Sequence, residues 1–251
     1  MVHYNFGVYH WRQRLRTVLS ALGVAVLSLQ VWRTSSSRRV RLVATAATAG
    51  AVVHGTGAMR RVLHPPPWAL DRYKYAVLAD ELPFERADRA LDIGCGTGRS
   101  LVGLAPTIPE SCTVVGLDVF DNRIILGNAP LLAQRNGRKA GIDVSPVAGD
   151  AARLPVATDS QDVLTACRVL HDLPAADAER TLREAHRTCA PEGVLGVLEL
   201  PITPDDADGA IVSPEMYWRE RVSEAGFAIE TVERLDRRRR DDQYVLIVAT
   251  P

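Results

Sequence analysis

Leu91-Asp92-Ile93-Gly94-Cys95-Gly96-Thr97-Gly98-Arg99 is a short apolar run that ends in a loop of glycines. Such a loop, placed between a buried strand and a helix, lets the backbone come close to an anion or a nucleoside at the positive end of the helix. The dinucleotide fingerprint spaces its glycines as G-x-G-x-x-G/A. Here the spacing is G-x-G-x-G, and Arg99 stands where the third glycine of the fingerprint would fall, which speaks against NAD. Twenty residues after Gly98, Asp118 closes the next apolar run, where a carboxylate can accept from both hydroxyls of a ribose.

Outward from this loop the chain alternates strand and helix. Residues 89–93, 113–118, 143–148, 162–167 and 194–200 are strand candidates, and helical stretches such as residues 177–189 lie between most of them. Alternation of this kind argues for βαβ units and a mostly parallel sheet. Residues 227–235 and 242–250 form a last pair of strands whose connection is too short for a crossover, so one strand at this end runs antiparallel. Residues 69–82 have a helical pattern, with Leu70, Tyr73, Val77 and Leu78 along one side.

Five motifs in order (LDIGCGTG, VVGLD, GDAARLP, DVLTACRVLHDLP and LREAHRTCAPEG) resemble those of the class I S-adenosylmethionine-dependent methyltransferases, small-molecule enzymes among them. The resemblance covers roughly residues 85–250. It implies an α/β, Rossmann-like sheet of seven strands in the order 3-2-1-4-5-7-6, with the last strand antiparallel, and S-adenosyl-L-methionine as cofactor. It also implies roles: Asp92 and the loop of Gly94, Cys95, Gly96 and Gly98 hold the methionine part, and Asp118 holds the ribose. Val119 packs on adenine, Asp150 beside Ala151 accepts from the adenine amino group, and Cys167 and Arg168 line the cofactor beside its methyl group. The sequence departs from the family at Glu192-Gly193, where two glycines are common. A second departure is the Gly127-Asn128-Ala129-Pro130 stretch after Asp118, which leaves the adenine side open.

Methyl transfer from a sulfonium is an in-line displacement, helped chiefly by positioning and desolvation. A base is needed only when the acceptor must lose a proton. His171 lies just past the fourth strand, on the edge where open α/β sheets bind ligands, and its ordinary pKa near 6.5 suits a general base. The alternative is that it caps the next helix or lines the pocket. Asp172, before Leu173-Pro174, reads as a turn or cap residue, and Tyr73 and Tyr75 as a lid or as helix packing. The run Arg237 to Arg240 reads as a solvated hairpin tip or a contact for an anionic headgroup. Glu199, Pro201 and residues 214–218 fall where this fold forms its acceptor pocket, with Tyr217 and Trp218 suiting a planar acceptor or the core.

The first seventy residues are a different object. They carry nine Arg and no Asp or Glu, whereas residues 71–251 carry 21 basic and 30 acidic side chains. Residues 17–32 and 42–59 are uncharged and apolar, each at the short end for a membrane crossing of about 20 residues. Tyr9, Trp11, Trp32 and the flanking arginines suit interfacial anchoring. The expectation is a basic helical hairpin over residues 1–64 that meets membrane lipid through residues 17–59; buried helices, or helices lying flat on the membrane, are the alternatives. A Pro-rich linker and lid helix follow at residues 65–84, and a catalytic domain at residues 85–251. His54, inside the second apolar segment, reads as interfacial or helix-packed rather than as a ligand. The acidic body has the wrong sign for nucleic acid. Cys95, Cys112, Cys167 and Cys189 have no C-x-x-C spacing, which indicates neither zinc nor a disulfide framework and fits reduced thiols in the cytoplasm.

The sequence therefore points to a membrane-associated methyltransferase with its catalytic domain in the cytoplasm. Its acceptor is a small molecule, lipid-soluble in keeping with the anchor. A non-catalytic nucleoside-binding scaffold or sensor at the membrane is the competing class, and a dehydrogenase ranks third.

Overall fold

The structure is a computed structural model that describes residues 3–63, 72–207, 213–238 and 241–251. The Pro-rich stretch at 64–68, Leu70, Arg239 and Arg240 lie outside the described residues. In chain order the elements are β1 (Val8–Tyr9), α1 (Trp11–Thr34), α2 (Arg38–Leu63), α3 (Tyr73–Asp80), β2 (Arg89–Ile93), α4 (Arg99–Leu104), β3 (Thr113–Asp118), β4 (Ile125–Leu126), α5 (Pro130–Ala140) and β5 (Val144–Ala148). They continue with β6 (Gln161–Cys167), α6 (Ala175–Thr188), β7 (Cys189–Glu199), α7 (Pro214–Glu224), β8 (Ala228–Asp236) and β9 (Gln243–Thr250). The chain divides into two compact units that do not follow a single cut. One holds residues 1–6, 69–121 and 127–251, and the other holds residues 7–68 and 122–126.

The first unit is built on a seven-stranded sheet of order β5-β3-β2-β6-β7-β9-β8. The strands from β5 to β7 are parallel, and β9 runs antiparallel to both of its neighbours. This is the expected Rossmann-like methyltransferase order. Strands covered on both faces read as near-continuous apolar runs, and β2 and β6 do so apart from Arg89 and Asp92 in the first and Thr165 and the two leading residues in the second. The core gathers Leu91, Ile93, Leu164, Leu195, Val197, Trp218 and Ile247. Helix α6 turns Ala178, Thr181, Leu182 and Ala185 inward, the spacing of one helical face. Helix α5 starts on Pro130 and stops at Gly141, whose left-handed backbone returns its N–H to Arg138 and Gly137.

Two expectations are corrected. Strand β7 begins at Cys189, five residues before Val194, because the Ala190–Gly193 turn is absorbed beside a register shift opposite Gln161 and Val163. Helix α3 buries Lys74, Tyr75, Leu78 and Ala79, so its inner face is rotated from the one expected. Polar anchoring causes the rotation. Tyr73 donates its hydroxyl to the Asp236 carbonyl, and the Lys74 ammonium donates to the Tyr244 hydroxyl at 3.0 Å and sits over that ring at 4.4 Å.

The second unit is a helical hairpin. Helices α1 and α2 extend past their uncharged cores into the flanking arginines, and 24 and 26 residues reach about 36–39 Å. They meet through small side chains: Ala44, Ala51 and Ala58, spaced by seven, are buried, and Gly55 faces Ala21. Small residues at such a seam let two helices approach closely. Their larger apolar side chains point outward, and His54 is exposed. The same unit includes a two-stranded antiparallel pair, with Val8 opposite Leu126 and Tyr9 opposite Ile125, and the Trp11 indole donates to the Asn122 carbonyl at 2.7 Å.

Candidate active site

Strand order reverses between β2 and β6, and in open α/β sheets ligands bind beyond the C-terminal strand ends at such a point. The loop after β2 has Gly94, Gly96 and Gly98 all at positive φ. Gly94 is required twice over: its φ is +71°, and a Cβ there would lie 2.3 Å from the Val169 side chain. Most of the loop's N–H groups are already engaged. Gly94 and Cys95 donate to the Leu117 carbonyl at 2.8 and 2.9 Å, Gly96 to the Asp118 carboxylate at 2.9 Å, and Gly98 to the Cys95 carbonyl at 2.8 Å. The loop is thus braced against β3 rather than opened as a phosphate cradle.

Asp92 is buried, and both of its oxygens are taken within the fold, one by the Ser100 hydroxyl and the other by the Thr165 hydroxyl at 2.7 Å. Burial raises its pKa to about 6, against the lowering effect of the two hydroxyls. The residue ties β2 to α4 and β6. Asp118, by contrast, ends its strand partly open. One oxygen accepts from Gly96, and the other from the Phe120 N–H at 2.7 Å and the Asn128 amide at 2.9 Å. Val119 is 52% exposed, which leaves its side chain open to a flat ligand. Phe120 and Arg168 both adopt left-handed backbone, a strain that costs about 1–2 kcal/mol each.

Past β5, exposed Asp150 accepts from the Ala152 N–H at 2.9 Å and so caps a short helical turn that begins at buried Ala151. At the end of β6, Cys167 is buried, and burial together with the Asp92 and Glu199 charges holds its thiol well above the ordinary range. All four cysteines are buried free thiols.

Past β6 stands a pair that the sequence reading only half identified. His171 Nδ1 bonds the Glu199 carboxylate, and Nε2 lies 3.7 Å from Asp172. Glu199, fully buried at the end of β7, also accepts from the Val169 and Leu170 N–H groups at 2.9 and 2.8 Å. Burial lowers the His171 pKa, but the Glu199 hydrogen bond and charge outweigh it, helped by Asp172, and the net shift is upward. With Nδ1–H donating to Glu199, Nε2 carries the lone pair that can take a proton. Glu199 is a strand-end acid 28 residues from His171, and no local spacing links them.

The expected acceptor wall is different in detail. Trp218 is buried in the core and donates its indole N–H to the Ile202 carbonyl at 3.0 Å, while Tyr217 packs edge-on against it. Beside Pro201 a cavity of about 620 Å³ remains, with Ser213, Glu215, Arg234, Asp236 and Gln243 in its wall. The two described arginines of the run are not simply solvated: Arg237 pairs with Asp242 at 2.9 Å and lies over Tyr244, and Arg238 lies over Tyr73. Tyr75 packs against Gly103 inside the unit, so packing rather than lid motion accounts for it.

Residues 3–6 are a further component that no motif announced. Asn136, fully buried on α5, donates to the Thr97 carbonyl at 2.8 Å and the Asn5 carbonyl at 2.7 Å, and its own oxygen accepts from the Asn5 N–H. Arg99 lies over the Phe6 ring, and Lys139 donates to the His3 carbonyl. The glycine loop is therefore held from beyond by the start of the chain. Two buried acceptors near the loop, Thr97 Oγ1 and Asn128 Oδ1, have no partner among the described residues, as expected where a polar ligand completes the site.

Comparison with known proteins agrees with this geometry. A demethylmenaquinone methyltransferase of Lactobacillus johnsonii is 32% identical over 119 residues, 47% of this chain and 46% of that protein. A 27-O-demethylrifamycin SV methyltransferase of Amycolatopsis mediterranei is 30% identical over 161 residues, 63% of this chain and 53% of that protein. The chain thus spans about half the length of these curated relatives. A crystal structure of a SAM-dependent methyltransferase from Aquifex aeolicus superposes with a TM-score of 0.56 at 17% identity, covering 73% of this chain and 93% of that one. Residues 90–193, from the strand before the glycine loop to the middle of β7, match the methyltransferase domain family.

Proposed function

We propose that this chain is an S-adenosylmethionine-dependent methyltransferase that acts on a small, lipid-soluble acceptor at a membrane surface. The observation that carries the chemistry is the His171–Glu199 pair at the strand ends beside the glycine loop and Asp118. The cofactor, when bound, supplies a methyl group on a sulfonium that leaves as a neutral thioether. Asp118 orients the ribose, and the loop from Gly94 to Gly98 packs along the methionine part. His171 Nε2 takes the proton that the acceptor loses as its oxygen or carbon bonds to the methyl group, and buried Glu199 stabilises the resulting imidazolium. Because only neutral His171 can act, its raised pKa places the acid limb of activity above the ordinary 6.5.

The membrane reading rests on α1 and α2, which are long and apolar enough to cross, with mean hydropathy of 1.5 and 1.3 and little of either buried within the protein. Residues 1–6 and residues 69–121 belong to one compact unit, with both helices between them in the chain. Two crossings return the chain to the side from which it started, and one crossing would not. Similarity to an enzyme named for demethylmenaquinone supports an apolar acceptor of the quinone type.

The test is transfer of a labelled methyl group from S-adenosylmethionine to a lipid extract by the full chain in detergent. Label in an extractable quinone or isoprenoid, absent with Asp118→Ala and His171→Ala, supports the reading. Cofactor binding without transfer to any extract would favour the scaffold or sensor instead. Full activity on a water-soluble metabolite alone, from a chain lacking residues 7–63, would overturn the membrane acceptor.

A further inference from the structure

We infer that Asn128 is a contact residue of the nucleoside site, its side-chain carbonyl accepting a hydrogen bond from a ribose hydroxyl. The inference rests on the methyl-donor reading for the identity of the nucleoside. It starts from the Gly127-Asn128 stretch, where this sequence leaves the common family pattern. Gly127 has φ +88° with open space where a Cβ would stand, so the chain turns there through a conformation that favours glycine. The turn brings Asn128 inward until only 8% of it is exposed.

The orientation of the Asn128 amide is fixed by chemistry. Its Nδ2 donates to Asp118 Oδ1 at 2.9 Å, and an ionised carboxylate only accepts, so the flipped amide would set oxygen against oxygen. Oδ1 is then left on the other arm of the same planar group, buried and without a partner among the described residues. A buried acceptor left unmade is costly, and native proteins seldom keep one unless a ligand or water completes it. Asp118 is the acceptor expected for the ribose, yet its two oxygens already take three donors from Gly96, Phe120 and Asn128. A vicinal diol brings two more donors to that crowded carboxylate. Asn128 Oδ1, carried by the group that grips Asp118, supplies the additional acceptor. The pair reads the diol together, one hydroxyl shared with Asp118 and the other with Asn128.

The experiment titrates S-adenosylhomocysteine and its 2′-deoxy and 3′-deoxy analogues into the full chain in detergent, for the wild type and Asn128→Ala. The wild type should bind both analogues at least fivefold more weakly than the parent. Asn128→Ala should weaken the parent about tenfold and one of the two analogues less than twofold, because that analogue lacks the hydroxyl Asn128 reads. Equal losses for all three ligands would assign Asn128 to holding Asp118, or to a water or the adenine amino group, and overturn the inference. Undiminished wild-type binding of both analogues would overturn it without any variant, should Asn128→Ala fail to fold. Absence of parent binding by the folded wild type would instead overturn the methyl-donor reading, and the inference with it.

Discussion

In the sheet unit Leu91, Leu164 and Leu195 are 1% exposed or less, whereas in the hairpin Leu19, Leu22 and Leu27 are 56–65% exposed. Burial of such a side chain is worth about 1.5–3 kcal/mol. The sheet unit obtains this from its own core, between strands and covering helices. The hairpin closes on alanines and a glycine, which bury little area, and turns its leucines and valines outward. One unit therefore carries its apolar side chains inside itself, while the other displays most of its larger ones on its surface.

The sharpest way to divide the two is to damage chemistry and anchoring separately. His171→Ala should lower kcat by about 10²–10⁴-fold, the usual worth of a general base. Melting temperature should fall as well, because fully buried Glu199 loses its partner, whereas membrane partition should stay close to wild type at pH 8. Normal turnover by this variant would reduce His171 to a pocket wall. In Glu199→Gln the acid limb of the rate profile should move down from above 6.5, because burial remains while the bond and charge that raise the pKa are removed.

Leu22→Arg, near the middle of α1, tests the other side. An arginine at the centre of a membrane helix costs roughly 2.5–3.5 kcal/mol of insertion, whereas an exposed position in water tolerates it within about 0.5 kcal/mol. Flotation with liposomes should fall sharply while the near-ultraviolet circular dichroism of the sheet unit is unchanged. An undiminished membrane fraction would break the comparison outright.

Asp92→Asn probes the sheet unit through pH. The folded pKa of about 6 lies above the ordinary 3.8, so the folded state binds the proton more tightly. Wild-type stability therefore falls as pH rises from about 4 to 6, and the loss is fully present above 6. A shift of about two units corresponds to roughly 3 kcal/mol as an upper bound. Relative to wild type, the variant should gain stability across that window and hold the gain at pH 8; a pH-independent difference between the two denaturation series would refute the assignment. The smallest effect is expected from Ala51→Leu in the hairpin seam. Overpacking there should cost about 1–3 kcal/mol, read as looser helix pairing in detergent with no change in S-adenosylhomocysteine affinity.

What the sequence disclosed follows the range of the interactions. Residues 113–118 were legible to the residue as β3, and residues 89–93 as β2, since burial on both faces writes an apolar run. The glycine loop was legible because its positive φ values demand glycine. The resemblance places Asp92 at the methionine part; its engagement by Ser100, eight residues on, and Thr165, 73 residues on, is not legible in the sequence. A partner at that distance leaves no periodic trace. Glu199 was noted as a strand-end acid, yet its role depends on β7 lying beside β6. The pairing of β1 with β4 was invisible for a different reason: two-residue strands carry no alternation to read.

The hold of residues 3–6 on Asn136 has a consequence for the order in which the protein is made. The two partners are 131 residues apart, and at about 5–20 residues per second a ribosome needs roughly 7–25 s to travel that far. Residues 3–6 leave the ribosome before the rest of the sheet unit exists and dock only after α5 has formed. Both helices of the hairpin are complete in the interval. The brace on the glycine loop is thus a late closure made by an early segment, and a nascent chain whose helices are already committed still lacks it.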